Sequence, residues 1–195
     1  MKQPQQRRAQ ATRDRILDAA ETLFDQHGYD KTSMNSLAEH AQVSIGGLYE
    51  WFKNKEAVLT AVAQRHVEVA STRILTRLTQ DPTLDINARI RIVLEEGLEL
   101  HQSKPKLHQF LYAEAPRPKA LRDMLKRFDE ALEKMVSEHL IEQGVSPADA
   151  TLRSALVTRA GQALLHDFVL DDQLPRSDKK RLQLLTATLL RLLSD

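Results

Sequence analysis

An all-α fold is predicted for this 195-residue chain, with an N-terminal three-helix helix-turn-helix unit joined to a C-terminal helical bundle. Three observations carry the prediction. Apolar residues recur at spacings of three and four along nearly the whole chain, and no stretch alternates as a half-buried strand would. Glycines are few, six in all, as expected where tight turns are few. The stretch "SIGGLYEWFKNKE", Ser44 to Glu56, reads as a short capped helix with two glycines in its first turn and three aromatics behind them.

The elements follow in order. Ile16, Leu17, Ala20, Leu23 and Phe24 share one face of a first helix, which Gly28 ends in the left-handed conformation glycine adopts freely. Thr32 and Ser33 stand where a second helix needs a cap; it buries Met34, Leu37, Ala38 and Ala41. "QVS" leads into the third helix, where Leu48 and Phe52 face inward. Asn54 caps a long fourth helix with Val58, Leu59, Val62, Val67, Ile74 and Leu78 on its apolar side, and "DPTLD" breaks it. Ile90, Val93, Leu94, Gly97, Leu98 and His101 form a face before Pro105. A short helix follows and stops at "PRP", since Pro116 and Pro118 forbid continuation. Leu121, Met124, Leu125, Phe128, Leu132, Met135 and Val136 mark a long amphipathic helix that ends at Gly144. Ser146, Pro147 and Asp149 start the next, which runs to about Leu170. Pro175 and Ser177 introduce a last, leucine-rich helix to Leu193. The expected domains are a basic arm over 1–11, a helix-turn-helix domain over 12–56 and a larger helical domain over 57–195, to which the family resemblance given below adds ligand binding and dimerisation.

Composition sets the class. Hydrophobic content of 42% and charged content of 28% suit a soluble globular protein, and the formal net charge is only +1. Local patches decide nucleic-acid binding, and Lys2, Arg7, Arg8, Arg13 and Arg15 against Asp14 make the start of the chain basic. The arm is read either as a groove or phosphate contact or as a solvated tail. The absence of cysteine excludes disulfides and thiolate metal sites. With no signal-peptide pattern and no long apolar run, a cytoplasmic protein with no membrane partner is expected.

Three short helices with a tight turn describe a unit whose third helix enters the major groove. Each helical glycine costs about 1 kcal/mol relative to alanine. In that first turn a side chain prevents close approach and glycine permits it, so Gly46 and Gly47 point to DNA. Tyr49 offers a hydroxyl to a phosphate, and Lys55 meets the same backbone from the start of the fourth helix. The competing reading makes the glycines a loop and the aromatics core.

The run "ILDAAETLFDQHGYDKTSMNSLAEHAQVSIGGLYEWFKNKEAVL" resembles the DNA-binding domain of the TetR family of bacterial transcriptional regulators. Phe24, Gly28, Tyr29, Thr32, Leu37, Ala38, Val43, Ser44, Gly46, Tyr49, Phe52, Lys55 and Val58 stand at the family's spacing. The resemblance implies a homodimeric repressor whose C-terminal helices bind a small-molecule effector that releases operator DNA. It implies that Ile45, Gly46, Gly47 and Tyr49 face DNA, with Thr32, Ser33, Asn35, Ser44 and Lys55 close by. Gln42 stands where glycine is usual in the turn. Ile45 and Gly47 supply no hydrogen-bonding side chain, so readout rests on thymine methyls, on Asn35 and on DNA shape.

In the C-terminal half, the helix from Ser146 is apolar on two faces. Leu152, Leu156, Ala160 and Ala163 form one, and Val157, Gly161, Leu165 and Phe168 the other. A monomer needs one buried face, so the second suggests a partner. Leu152, Leu156, Ala160, Ala163, Leu185 and Leu189 are the dimer candidates, giving a four-helix interface across a two-fold axis. Full burial within one chain is the alternative. Two-fold symmetry predicts a pseudo-palindromic operator. The ligand candidates are His66, His101, Phe110, Met124, Phe128, Gln162 and His166, with ordinary core packing the competing reading of each.

An enzyme is not expected. The histidines are scattered, no metal-ligand spacing or phosphate-binding glycine loop occurs, and Glu95, Glu96 and Glu99 read as a solvated face. No cofactor is expected beyond an unidentified effector. The alternative function is a helical protein–protein adaptor without specific DNA binding.

Overall fold

Helices begin where a side chain can accept the free amide hydrogens of the first turn. The computed structural model describes residues 3–81, 83–113, 115, 118–170 and 178–193. Among them are nine helices and no strand: α1 (Gln3–His27), α2 (Met34–His40), α3 (Ile45–Trp51), α4 (Lys55–Gln80), α5 (Ile86–Ser103), α6 (Pro105–Ala113), α7 (Lys119–Glu142), α8 (Pro147–Leu170) and α9 (Asp178–Arg191). Ser33 caps α2, its hydroxyl accepting from the Ser36 amide at 3.1 Å while the Ser36 hydroxyl accepts from the Ser33 amide at 3.0 Å. Ser44 Oγ accepts from Gly47 at 3.0 Å, Asn54 Oδ1 from Ala57 at 2.8 Å and Ser146 Oγ from Asp149 at 3.2 Å. Gly28 (φ 82°) and Gly144 (φ 89°) end their helices in the left-handed region. The "PRP" stop at Pro116 and the lead-in at Pro175 and Ser177 lie outside the described residues, as does Lys2.

One difference from the sequence reading lies at the start. Residues 3–11, read as an arm, are the first turns of α1. Gln, Arg and Ala are strong helix formers, Pro4 falls in the first turn where its missing amide costs nothing, and nothing after it breaks the helix. Gln10 donates to Asp14 at 2.9 Å and the Thr12 hydroxyl to the Arg8 carbonyl at 3.1 Å, so consecutive turns are linked.

The chain divides into two compact units, Met1–His66 with Lys104–Leu121 and Val67–Ser103 with Arg122–Asp195. The first unit buries Ile16, Leu17, Ala20 and Phe24 of α1, Leu37 and Ala38 of α2, Leu48 of α3, Val58 and Val62 of α4 and Leu107 of α6 in one core. Its α6 comes from a stretch that sequence order alone places in the C-terminal domain. Leu107 is fully buried, and two α6 amides, Lys106 and Leu107, donate to Asp25 Oδ1 of α1 at 3.1 Å. Glu21 of α1 accepts from Arg65 (2.6 Å) and from Lys104. Burial raises the Glu21 carboxyl, but its bonds to Lys104 and Arg65 outweigh that and hold it below its ordinary value.

The second unit packs α5 against α8 and α9, with Ile90, Leu94, Leu98, Val157, Leu165, Leu185 and Leu189 in its core. Gly97 permits the α5–α8 approach, since a Cβ there would lie 2.3 Å from Leu165 Cδ2. Of the three carboxylates read as a solvated face, Glu99 is exposed and Glu95 half-buried, but Glu96 is not part of such a face. Glu96 is buried and accepts from Arg73 Nε at 2.7 Å and Arg77 Nη1 at 2.9 Å, tying this part of α4 to α5. Helical spacing marked the three carboxylates as one polar face and could not show two arginines meeting them.

Candidate nucleic-acid interface

The short helix α3 lies on the first unit with one side inward. Leu48 is fully buried and Phe52 nearly so, which leaves the other side of the helix open. Ile45 is 40% exposed and Tyr49 51%, one turn apart on the same flank. Gly46 and Gly47 complete the first turn. A Cβ on Gly46 would meet nothing within 4 Å, whereas one on Gly47 would lie 3.0 Å from Ser44 Oγ, the atom that caps the helix. The fold therefore uses the small size of Gly47 and makes no use of the small size of Gly46. Trp51, 39% exposed, stands one turn beyond Gly47. No sequence motif assigns Trp51 a role; its spacing from Gly47 is the signal that places it on this side of α3.

The turn into α3 bends at Gln42, which takes the left-handed conformation (φ 55°) where glycine would be unstrained. Its amide donates to the Glu39 carbonyl at 3.0 Å, and the Val43 amide to Ala38 at 3.0 Å. These bonds close the end of α2 as a helix-terminating turn does. Ser33, Asn35 and Ser44 are exposed, with the hydroxyls of Ser33 and Ser44 engaged as caps.

Two candidates turn inward. Thr32 is buried, and its hydroxyl donates to the Gly28 carbonyl at 2.9 Å. It closes the α1–α2 turn. Lys55 reaches back to the same turn: its ammonium donates to the Tyr29 carbonyl at 2.7 Å and lies 4.2 Å from the centre of the Tyr29 ring. Sequence position puts a cation at this helix start, but two acceptor carbonyls and an aromatic face compete for it more closely than solvent does. The Tyr29 phenol is pushed up by burial, with Glu56 and Asp30 adding to it.

The ligand candidates fall in both units. In the first, His66 Nε2 meets His108 Nδ1 at 2.9 Å and Phe110 packs against the core. In the second, Phe128 packs on Ile74, Leu78 and Ile92, Met124 is half-buried, and Gln162 donates to Asp129 Oδ1. Burial pushes the Asp129 carboxyl up, only partly opposed by Gln162. Sequence does not single out Asp129, which stands at helical spacing from the charged residues Lys126 and Glu133. His101 is buried; its Nδ1–H donates to the Gly97 carbonyl at 2.6 Å, and burial lowers the ring's proton affinity. The side chains of His166 and Phe168 lie outside the described residues. Among the described residues, no cluster of three or more metal-binding side chains occurs, and no helix is long and apolar enough to cross a membrane.

The dimer candidates separate. Leu152 (70% exposed), Leu156 (52%) and Ala163 line an open side of α8, while Ala160 packs partly on the unit's core. Leu185 and Leu189 do not belong to that open side. They are buried within the unit, and a Cβ on Gly161 would lie 3.3 Å from Leu189. Periodicity identified an apolar face on α9, but α5 and α8 of the same unit already cover it. The exposed leucine of α9 is Leu184, at 58%.

Residues 16–62 match the family described as bacterial regulatory proteins, tetR family, and residues 85–194 match the tetracyclin repressor-like C-terminal domain. The HTH-type transcriptional repressor KstR of Rhodococcus jostii is 32% identical over 108 residues, covering 53% of this chain and 49% of KstR. The chain thus matches about half the length of that relative. A TetR-family transcriptional regulator from Streptomyces coelicolor superposes with a TM-score of 0.65 at 28% identity, over 93% of this chain and 97% of that one. FadR of Bacillus subtilis, in complex with stearoyl-CoA, superposes with a TM-score of 0.72 at 20% identity, over 92% and 97% of the two chains.

Proposed function

This chain belongs to the TetR family of bacterial regulatory proteins, and on that premise we propose that it is a sequence-specific DNA-binding transcriptional regulator. It acts in the cytoplasm as a homodimeric repressor that a small-molecule effector releases from a pseudo-palindromic operator. The observation that carries the reading is Gly46, an exposed helical glycine with open space around it. A residue that costs helix stability and relieves no clash within the chain has its reason outside the chain, and close approach of DNA is that reason.

In this reading α3 enters the major groove with Ile45, Gly46, Gly47 and Tyr49 toward it. The Ile45 side chain meets thymine methyls, and the Tyr49 hydroxyl donates to a phosphate. Ser33, Asn35 and Ser44 flank the groove. Thr32 and Lys55 act one step back by fixing the α1–α2 turn. Arg7, Arg8 and Arg15, exposed along α1, add phosphate attraction. Dimerisation uses the open side of α8 (Leu152, Leu156, Ala163) with Leu184 of α9. The effector binds among helices of the second unit, where Met124, Phe128 and Gln162 with Asp129 supply a mixed apolar and polar lining. FadR, which has the same fold, is found in complex with stearoyl-CoA, and this supports an effector site in this chain.

The test is Tyr49→Ala with DNA affinity and dimer mass measured together. Operator affinity is expected to fall about tenfold or more, as removal of one well-placed hydrogen bond to DNA would produce, with the dimer unchanged by sedimentation. Undiminished operator binding would remove α3 from the interface.

A further inference from the structure

Phe110, which sequence reading groups with the ligand candidates, lies in the first unit with its ring stacked on Tyr29. The centroids are 5.2 Å apart and the planes 17° from parallel. Tyr29 is the residue on which the turn between α1 and α2 closes. Its carbonyl accepts from the Thr32 amide at 3.2 Å and from the Lys55 ammonium at 2.7 Å, and that ammonium also lies against its ring. The residue after Thr32 is Ser33, the cap of α2. Lys55 opens α4, three residues after Phe52, which closes α3. The Tyr29 side chain and carbonyl therefore join the start of α2 to the joint between α3 and α4, the two places that fix how the helix-turn-helix is presented.

Phe110 reaches Tyr29 from α6, a helix anchored to α1 without help from the ring. Leu107 is fully buried, Asp25 accepts the two leading amides, and Glu21 holds Lys104. The ring's contribution is thereby separable from that of the helix. An aliphatic side chain would fill much of the same volume but has no π face to lie along Tyr29, and aromatic pairs gain beyond burial alone.

We infer that Phe110 is a positioning residue for DNA recognition, whose ring holds Tyr29, and through it the α1–α2 turn and the Lys55 contact, in the arrangement that reads an operator. The inference rests on the DNA-binding reading above and adds to it a residue that touches no DNA.

The experiment uses the full-length chain and measures affinity for operator and for unrelated DNA at one salt concentration. Thermal midpoints and amide exchange at Thr32 are followed alongside. Phe110→Leu is expected to lower the ratio of operator to unrelated-DNA affinity about three- to tenfold, the range ordinary ring stacking allows, with unrelated-DNA affinity unchanged and Thr32 exchange faster. Phe110→Tyr, which keeps the ring, restores both. Tyr29→Leu gives the same loss, and the double substitution loses no more than either single one. Leu107→Ala lowers the thermal midpoint but leaves the ratio intact. A wild-type ratio retained by Phe110→Leu, additive losses in the double variant, or an equal loss with Leu107→Ala would overturn the inference while leaving the regulator reading in place. A wild-type protein with no operator preference would overturn both.

Discussion

Replacing Gly46 by alanine should strengthen the fold and weaken its function. The glycine is exposed in the first turn of α3, its backbone is helical, and a Cβ added there meets no atom within 4 Å. The exchange therefore carries no steric cost within the chain and removes the entropic penalty of a helical glycine, about 0.5–1 kcal/mol. In a chain of this size that corresponds to a rise in thermal midpoint of about 1–4 °C. Gly47 serves as the internal comparison. Its Cβ would press on Ser44 Oγ at 3.0 Å, so Gly47→Ala trades the same gain against a disturbed cap worth about 1 kcal/mol and should leave stability near that of the parent. On DNA the order reverses for Gly46→Ala. The added methyl occupies the space a groove wall or phosphate must enter, in both copies of a dimer, and operator affinity should fall about tenfold or more. Paired melting curves and operator titrations decide the matter. A stabilised Gly46→Ala variant that binds operator as well as the parent would mean that the glycine has no partner to admit. A destabilised variant would refute the steric premise.

Other consequences are independent of this one. Gln42→Gly removes the cost of a side chain in the left-handed region (φ 55°) and should stabilise the fold by about 0.5–1 kcal/mol, seen as a higher urea midpoint with operator binding unchanged. Glu96→Ala leaves Arg73 and Arg77 without their buried acceptor; since both guanidinium groups can rehydrate, the loss should be about 2 kcal/mol, measured by urea unfolding, and no loss would mean the clamp is idle. His101 is held below its ordinary value of 6.5 by burial, against the bond to Gly97. Its contribution is full above about pH 6.5 and drains away as the pH falls toward the folded value, because the unfolded chain takes the proton first. A urea midpoint that drops between pH 7 and pH 5, and drops less in His101→Gln, is the expected pattern. Leu156→Asp should yield folded monomers by sedimentation, whereas Leu185→Asp should unfold the second unit.

Helix starts were readable because capping is local: a serine or asparagine needs only the amides of its own next turn, and Ser33, Ser44, Asn54 and Ser146 all act within three residues of themselves. The inward side of α3 was equally readable, since Leu48 and Phe52 differ from their neighbours in the property that decides burial. What failed was the identity of the partner across a face. An apolar stripe at 182–193 announces that something covers Leu185 and Leu189 without saying whether it is α5 and α8 or a second copy. Lys55 and Thr32 looked available because their carbonyl acceptors lie 26 and 4 residues away, in a turn whose closure depends on the whole unit. The neighbours of Phe110 and α6 are hidden for the same reason: the bond partners of α6 on α1 are about eighty residues earlier in the chain. Residues 3–11 differ again, for a polar helix without apolar periodicity looks like a tail.

If α3 reads DNA sequence, the protein must prefer one operator to unrelated DNA. The most direct measurement is selection of bound fragments from the DNA of the source organism at a fixed salt concentration, followed by footprinting of the best. A protected pseudo-palindrome is expected, with half-sites separated by a helical turn or a multiple of it and an affinity at least about a thousandfold above unrelated sequence. Binding that is weak, sequence-independent and steeply salt-sensitive would contradict it, leaving only charge attraction from the arginines of α1.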